Sequence, residues 1–212
     1  MQQFKHYIFD LDGTLTNPSE GIFRSILYAF KRLGVNPPER AEVDRQIGPP
    51  LSEMLGKLIP GANQNLIECG MRLFRERYSE VGLFENIIYD GIEDALKFLS
   101  ARSVLSVATS KPELFAERIL ERLKLRQYFR NVFGVTITSR QSEKNELIRK
   151  AILAAKFEPA ESVMVGDRES DIFGAKMNRI GAVGVLWGFG SVQELEIAGA
   201  DVVIAKAGEL LK

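Results

Sequence analysis

The chain has 212 residues, and its 28 Lys and Arg residues balance 28 Asp and Glu residues. This length suggests one or two domains. A composition that is 45% hydrophobic and 26% charged is typical of a globular protein and excludes a disordered one. The zero net charge excludes the strongly basic surface of a nonspecific nucleic-acid binder. With one cysteine, Cys69, the fold does not depend on an internal disulfide.

The sequence also lacks the marks of a membrane or secreted protein. No apolar run approaches the roughly 18–20 residues of a membrane span, and the first nine residues do not resemble a signal peptide. We therefore expect a soluble, cytoplasmic protein that has neither a membrane nor a nucleic-acid polymer as a partner. The sequence does not distinguish a monomer from a homodimer.

The predicted elements begin with a short apolar strand at residues 7–9, which ends on Asp10. The following region, from about Asn17 to Tyr89, contains no convincing strand. Apolar residues at helical spacing predict one helix there that ends at Gly34 and a second that ends near Tyr78. This region is therefore expected to be a helical insertion directly after the first strand, where it could cover the ligand crevice of an open α/β sheet.

Beyond Tyr89, short apolar runs alternate with longer amphipathic segments. The apolar runs, which predict strands covered on both faces, are residues 104–108, 132–137, 163–165, 182–187 and 201–204. The amphipathic segments, which predict helices, are residues 92–99, 115–123 and 147–155. Strand and helix in alternation predict a parallel α/β sheet with right-handed crossovers.

The first acidic motif, Asp10-Leu11-Asp12-Gly13-Thr14-Leu15, follows the first strand. Asp10 and Asp12 are two residues apart on an extended segment, so their carboxylates point the same way. Like charges at this spacing repel each other unless a cation or a proton intervenes. The alternative is an acidic turn in which one of the two aspartates only caps the backbone.

A second acidic pair, Asp167 and Asp171, follows the predicted strand at 163–165. Taken alone, it could be the first turn of a helix, where acidic residues are favourable. Parallel strands, however, place both acidic pairs along one edge of the sheet. Four carboxylates there favour Mg²⁺, which binds through carboxylates together with a substrate phosphate.

Two further positions at this edge could bind an anion. Thr109 and Ser110 end the second predicted strand of the sheet, and a hydroxyl or a free N–H group there could hold a phosphate oxygen. The alternative for Ser110 is an ordinary helix N-cap, with Pro112 at the first helical position. Lys144 opens a later helix, and it is either a counter-charge for the carboxylates or a solvated lysine.

Taken in order, these motifs resemble those of haloacid dehalogenase (HAD) superfamily phosphatases over the whole chain. The matching residues are Asp10, Asp12, Thr14, Thr109, Lys144, Gly166, Asp167 and Asp171. The resemblance implies a Rossmann-like parallel sheet flanked by helices, residues 1–16 and 88–212, with an inserted all-helical cap domain, residues 17–87. The insertion resembles the cap of the phosphoglycolate phosphatase-like subgroup, and residues 48–51 resemble its substrate loop. Residues 187–191 resemble a segment that follows a late core strand in that subgroup.

The resemblance also implies a role for each motif residue. Asp10 would be the nucleophile, and Asp12 would be the general acid and base. Mg²⁺ would be held by Asp10, the backbone carbonyl of Asp12, and Asp167. Thr109 and Lys144 would bind the phosphate, Asp171 would order Lys144 or the metal's water, and Lys111 is the alternative to Lys144. The remaining expected phosphate-binding residues are Gly13 and Ser110.

The expected activity is Mg²⁺-dependent hydrolysis of a small phosphorylated metabolite through an aspartyl-phosphate, phosphoglycolate phosphatase-like or 5'-nucleotidase-like. A phosphomutase of the same superfamily and a catalytically silent binding module are the alternatives. Asp12 argues against dehalogenation, because the dehalogenases of this superfamily lack that second carboxylate. Arg24, Arg45 and Lys57 are candidates for reading the substrate.

Overall fold

The computed structural model describes residues 3–136 and 144–211, and the chain forms two compact units. The first unit is Met1–Asn17 with Ile88–Lys212, and the second is Pro18–Ile87. In chain order, the strands are β1 His6–Phe9, β2 Thr16–Asn17, β3 Ile87–Ile88, β4 Val104–Pro112, β5 Asn131–Val135, β6 Ser162–Gly166, β7 Gly181–Val185 and β8 Val202–Ile204. The helices are α1 Ser19–Leu33, α2 Arg40–Asp44, α3 Leu51–Leu58, α4 Gln64–Tyr78, α5 Ile92–Ser100, α6 Glu113–Arg122, α7 Lys144–Ala155, α8 Glu169–Met177 and α9 Val192–Ile197.

The first unit is built on a six-stranded sheet with the order β5-β4-β1-β6-β7-β8. All its strand pairs are parallel, so the fold is α/β with helices flanking the sheet, as the sequence predicts. β1 lies near the centre of the sheet, and each of its four residues is buried. Ile8 of β1 belongs to a core cluster that includes Ile148 of α7, Met164 of β6 and Ile172 of α8.

Three strand boundaries differ from those predicted. β4 continues to Pro112 instead of ending at Thr109-Ser110, with a register irregularity between Ala108 and Pro112. β7 ends at Val185, two residues before Trp187. β5 ends at Val135, and Ile137 of the predicted strand lies outside the described residues.

The second unit consists mainly of helices α1 to α4 and a 3-10 turn at Gly82–Phe84. The helix predicted to end at Gly34 is α1, and Gly34 caps it in the left-handed conformation with φ 70°. Ile26 and Phe30 of α1 and Leu55 of α3 are fully buried. The prediction of no strand in this region is wrong at its ends, because β2 and β3 pair as a short two-stranded sheet.

Candidate active site

The two acidic motifs meet because the central strands are in parallel register. Phe9, the last residue of β1, is level with Val107 of β4 and Val165 of β6. The backbone N–H of Asp10 donates to the carbonyl of Val165 at 3.0 Å. The residues that follow β1 and β6, together with the end of β4, therefore lie at one edge of the sheet.

Lys144 lies between one aspartate from each motif. Its Nζ is 2.8 Å from Asp10 Oδ1 and 2.8 Å from Asp171 Oδ1, and it donates to the carbonyl of Ala108 at 3.1 Å. Lys144, Asp10 and Asp171 are all buried. Burial lowers the pKa of Lys144, but the two carboxylates more than offset this and raise it above its usual value. Lys144 is therefore charged, and it is the counter-ion of both aspartates.

Asp171 is held by the start of its own helix as well as by Lys144. Its Oδ2 accepts a hydrogen bond from the Arg168 N–H at 3.0 Å. A Cβ at Gly166 would lie 2.2 Å from the carboxyl carbon of Asp171, so only glycine fits there without a shift. Burial raises the pKa of Asp171 to about 6, with the Lys144 charge opposing and the Asp10 charge adding to that rise.

Asp167 is oriented through both of its carboxylate oxygens. Thr14 Oγ1 donates to Asp167 Oδ1 at 3.0 Å, and the Phe189 N–H donates to Oδ2 at 2.9 Å. Burial raises the pKa of Asp167 to about 8, and the charges of Asp171 and Asp10 add to this rise. A buried carboxylate whose pKa is raised this far is costly to ionise unless a cation or a proton offsets its charge.

The turn after Asp12 passes close to Asp167, which explains its glycine. Gly13 has a φ of 89°, a conformation that side chains other than glycine's rarely adopt. A Cβ at this position would also lie 2.2 Å from Asp167 Oδ2. Gly13 is therefore required both by the turn and by the approach of the second acidic motif.

The segment after β7 also packs against this site. Trp187 Nε1 donates to the carbonyl of Thr14 at 2.9 Å. A Cβ at Gly188 would lie 2.3 Å from the carbonyl oxygen of Gly13 and 2.5 Å from Asp167 Oδ2. Trp187, the last residue of the predicted strand at 182–187, therefore lies beyond β7 and ties this segment to the first acidic motif.

Asp12 has a different partner from Asp10. Lys111 Nζ is 2.5 Å from Asp12 Oδ2, and the two side chains are 6% and 15% exposed. Burial raises the pKa of Asp12, although the Lys111 charge opposes this rise. Asp12 Oδ1 is buried and has no hydrogen-bond partner among the residues that the structure describes. Lys111 therefore pairs with the second aspartate of the motif, Asp12, whereas Lys144 pairs with the first, Asp10.

The predicted hydroxyl pair lies on the extended end of β4. Thr109 is 2% exposed, and its Oγ1 accepts a hydrogen bond from the Lys111 N–H at 3.3 Å. Ser110 is half-buried. Ser110 is not a helix N-cap, because β4 runs through it and α6 begins at Glu113 with Pro112 in the capping position. The strand continues here because Val135 of β5 pairs with Pro112.

The carboxylates offer a donor set that fits Mg²⁺. Oxygens of Asp10, Asp167 and Asp171 lie within 4.8 Å of one another, and all three residues are buried. Hard oxygen donors are the ligands that Mg²⁺ takes. With Asp12 included, four carboxylates face two lysine ammonium groups, Lys144 and Lys111, so the ionised set carries a formal charge of −2. One divalent cation would balance this charge.

The sequence alone does not predict the pairing of Lys111 with Asp12 or the contacts of Trp187 and Phe189. The signal for Lys111 was its position two residues after Thr109, which places both side chains on one face if the strand continues. The strand was expected to end before it. The contacts of residues 187–190 depend on a loop conformation, for which strand and helix periodicity provides no signal.

Relatives of known name match almost the whole chain. A 5'-nucleotidase of Pseudomonas aeruginosa is 37% identical over 194 residues, which are 91% of this chain and 87% of the relative. The tyrosine-protein kinase PtkA of Mycobacterium tuberculosis is 34% identical over 197 residues, 92% of this chain and 67% of the relative. The structure of a predicted phosphatase from Clostridium acetobutylicum superimposes with a TM-score of 0.91 at 34% identity, covering 99% of this chain and 97% of that one.

The family assignment rests on these relatives and on a match to a family model. The model described as haloacid dehalogenase-like hydrolase matches residues 7–185, which include both acidic motifs, Thr109 and Lys144. Among the described helices, none is both long and apolar enough to cross a membrane. The chain therefore belongs to the haloacid dehalogenase-like hydrolase family, as its sequence predicts, and is a phosphoric monoester hydrolase of that family.

Proposed function

We propose that the chain is a Mg²⁺-dependent phosphatase that hydrolyses a small phosphomonoester through an aspartyl-phosphate at Asp10. The observation that carries this proposal is the buried cluster of Asp10, Asp167 and Asp171, whose oxygens lie within 4.8 Å of one another, with Lys144 between Asp10 and Asp171. A cluster this acidic and this buried is costly to a fold unless a cation offsets its charge.

In the first proposed step, a carboxylate oxygen of Asp10 attacks the substrate phosphorus. The bond from phosphorus to the leaving alcohol oxygen breaks, and that oxygen takes a proton from Asp12. Lys144 supports this step because its charge is fixed next to Asp10, where negative charge moves onto the phosphoryl oxygens. Thr109, Ser110 and the backbone at Gly13 are the proposed further phosphate contacts.

In the second proposed step, water attacks the phosphorus of the aspartyl-phosphate. Asp12, now ionised, takes a proton from the water, and the bond from phosphorus to Asp10 breaks to release phosphate. Two moderate displacements replace one difficult displacement. Asp171 acts in this scheme by holding Lys144, as its 2.8 Å ion pair supports.

The proposed cofactor is Mg²⁺, bound by Asp10, Asp167 and the backbone carbonyl of Asp12. When bound there, it neutralises charge so that a carboxylate can approach an anionic phosphate. The hydrogen bonds from Thr14 and Phe189 orient Asp167 for such a role. Asp12 contributes only its backbone in this proposal, which agrees with the engagement of its side chain by Lys111.

Substrate choice is proposed to lie in the helical residues 17–87, acting as a cap on a core formed by residues 1–16 and 88–212. The name of the Pseudomonas aeruginosa relative supports a 5'-nucleotidase-like substrate, and the phosphoglycolate phosphatase-like substrate remains the other prediction from the sequence. Arg24 remains a proposed candidate for contacting the substrate, and its side chain also pairs with Glu20 and Glu85. Arg45 and Lys57 remain predictions.

The test is phosphate release from a panel of nucleoside monophosphates, phosphoglycolate, pyrophosphate and sugar phosphates, with Mg²⁺ and with EDTA. We expect release that requires Mg²⁺ and that Asp10→Asn abolishes. Asp94→Asn is the matched control, because Asp94 is an exposed aspartate on α5. An isomerised sugar phosphate without phosphate release would indicate a phosphomutase, and no turnover of any phosphoester would indicate a silent binding module.

A further inference from the structure

The two carboxylate oxygens of Asp12 have unequal environments. Lys111 Nζ lies 2.5 Å from Oδ2, whereas Oδ1 is buried and has no hydrogen-bond partner within the described ranges. A carboxylate held at one oxygen by an ammonium group can rotate little. Oδ1 is therefore the oxygen that remains able to exchange a proton with a substrate or with water.

Lys111 is itself held in place by β4. Its backbone N–H donates to Thr109 Oγ1 at 3.3 Å, and its side chain is 6% exposed. The register irregularity between Ala108 and Pro112 falls at this segment. The same segment of β4 thus positions the side chain of Thr109 and, through Lys111, also holds the carboxylate of Asp12.

A structural ion pair in the same unit offers a comparison. Lys176 Nζ also lies 2.5 Å from an aspartate, Asp201 Oδ1, but those side chains are 39% and 53% exposed. Exposed ion pairs contribute little to the stability of a fold. A buried pair is a poor way to stabilise a fold, because removing two charges from water offsets most of their attraction. The burial of the Lys111–Asp12 pair is therefore better explained by a role in positioning.

We propose that Lys111 is a positioning residue that holds Asp12 through Oδ2 and so selects Oδ1 as the oxygen that transfers the proton in both steps. This inference rests on the proposed function, in which Asp12 is the general acid and base. Lys111 would not touch the reacting atoms. It would act only through Asp12, and this gives it a signature that a purely structural lysine lacks.

The test measures kcat/KM with a series of aryl phosphates: 2,4-dinitrophenyl, p-nitrophenyl and phenyl phosphate. This parameter reports the steps up to formation of the aspartyl-phosphate, where Asp12 protonates the leaving oxygen. Dinitrophenolate leaves without a proton, whereas phenolate needs one. Lys111→Met should therefore lower kcat/KM by about 10²-fold for phenyl phosphate and by under about 3-fold for dinitrophenyl phosphate. The kcat/KM of Lys111→Arg for phenyl phosphate should be at least about tenfold higher than that of Lys111→Met.

A double-mutant cycle separates positioning from general damage. In an Asp12→Asn background, adding Lys111→Met should lower kcat/KM for phenyl phosphate by less than about 3-fold, and not by about 10²-fold as in the wild-type background, because the group that Lys111 positions is already lost. Lys176→Met is the matched control and should leave the dependence on the leaving group unchanged. Thermal unfolding verifies that each variant folds; should Lys111→Met fail to fold, Lys111→Gln takes its place in both comparisons.

Two results would overturn the inference while leaving the proposed function intact. The first is an equal loss of kcat/KM for all three aryl phosphates in Lys111→Met. The second is a full additional loss when Lys111→Met is added to Asp12→Asn. A wild-type chain that releases no phosphate from any phosphoester, with or without Mg²⁺, would overturn the proposed function and this inference together.

Discussion

The two ends of β1 bury polar groups in opposite ways. At its start, His6 is fully buried, and its ring nitrogens lie 3.0 Å from Ser106 Oγ and 3.3 Å from Ser162 Oγ. These partners are neutral and come from the strands on either side. Beyond its last residue, Asp10 lies among charged groups, Lys144, Asp167 and Asp171.

The difference shows how a buried polar group can serve stability or chemistry. Burial lowers the pKa of His6 to about 4, and the Arg130 charge adds to this, so the ring is neutral and both nitrogens have partners. At the other end, burial raises the pKa of Asp167 to about 8, and the ionised carboxylates outnumber the lysines. The hydrogen bonds of His6 are satisfied by its two serine partners, whereas the excess of carboxylates at the other end of β1 favours a bound cation.

The largest expected effect follows from removing the nucleophile. Asp10→Asn should lower phosphatase kcat by about 10³-fold or more, because an amide cannot form the acyl-phosphate. Its thermal unfolding should stay cooperative. His6→Gln is the contrasting variant at the other end of the strand, and its kcat should stay within about threefold of the wild type. Comparable kcat values for the two variants would contradict the claim that Asp10 serves chemistry and His6 serves stability.

The next effect concerns Mg²⁺ binding and pH. With the pKa of Asp167 at about 8, a proton occupies this carboxylate below that pH and competes with the cation. The apparent dissociation constant for Mg²⁺ should therefore fall about tenfold for each pH unit between pH 6 and 8. Titration calorimetry on the metal-free protein measures it directly. A constant affinity over this range would contradict the placement of the metal beside Asp167.

A smaller effect is expected from the loop that holds Asp167. In Gly188→Ala, the added Cβ would meet the Gly13 carbonyl oxygen at 2.3 Å, so the loop must shift and stability should fall by about 1–3 kcal/mol. Mg²⁺ affinity should fall with it. Gly208→Ala is the matched control, because a Cβ there has nothing within 4 Å. Urea unfolding and calorimetry of both variants test this; equal behaviour would exclude the loop from the site.

The last expected effect is a loss of stability at acid pH, and it comes from His6. The pKa of His6 is about 4 in the folded chain, below its ordinary 6.5, so the unfolded chain takes up the proton first as the pH falls. Its contribution to stability is present above pH 6.5 and is lost on the way to pH 4. Between pH 7 and 5, the wild type should lose about 2 kcal/mol more than His6→Gln. The free energy of unfolding of both proteins is measured by urea unfolding at each pH. The same pH dependence for the wild type and His6→Gln would contradict this.

Much of the core could be predicted from the sequence because its strands are short, apolar and regularly spaced. The runs that became β1, β6 and β8 lie within one residue of their predicted bounds. Parallel pairing then determines that Asp10 and Asp167 share an edge. Family membership could be predicted because the motifs occur in a fixed order over most of the chain.

The sequence did not predict details that depend on tertiary contacts. The end of β4 was placed too early because Thr109-Ser110-Lys111-Pro112 contains typical strand-ending residues, yet pairing with β5 extends it. That extension places Lys111 in the same strand as Thr109. The hydrogen bond from Trp187 to Thr14 joins residues 173 positions apart in the chain. Local periodicity carries no information about such a contact.

The central claim is that Asp10 becomes phosphorylated, and the most direct measurement is chemical trapping of that residue. The protein is mixed with dinitrophenyl phosphate and Mg²⁺, quenched in acid and treated with borohydride, which reduces an aspartyl-phosphate to homoserine. Peptide mass spectrometry should then find homoserine at position 10, and more of it in Asp12→Asn, whose second step is slowed. Phosphate release with no modification at Asp10, or with modification at another residue, would contradict the account.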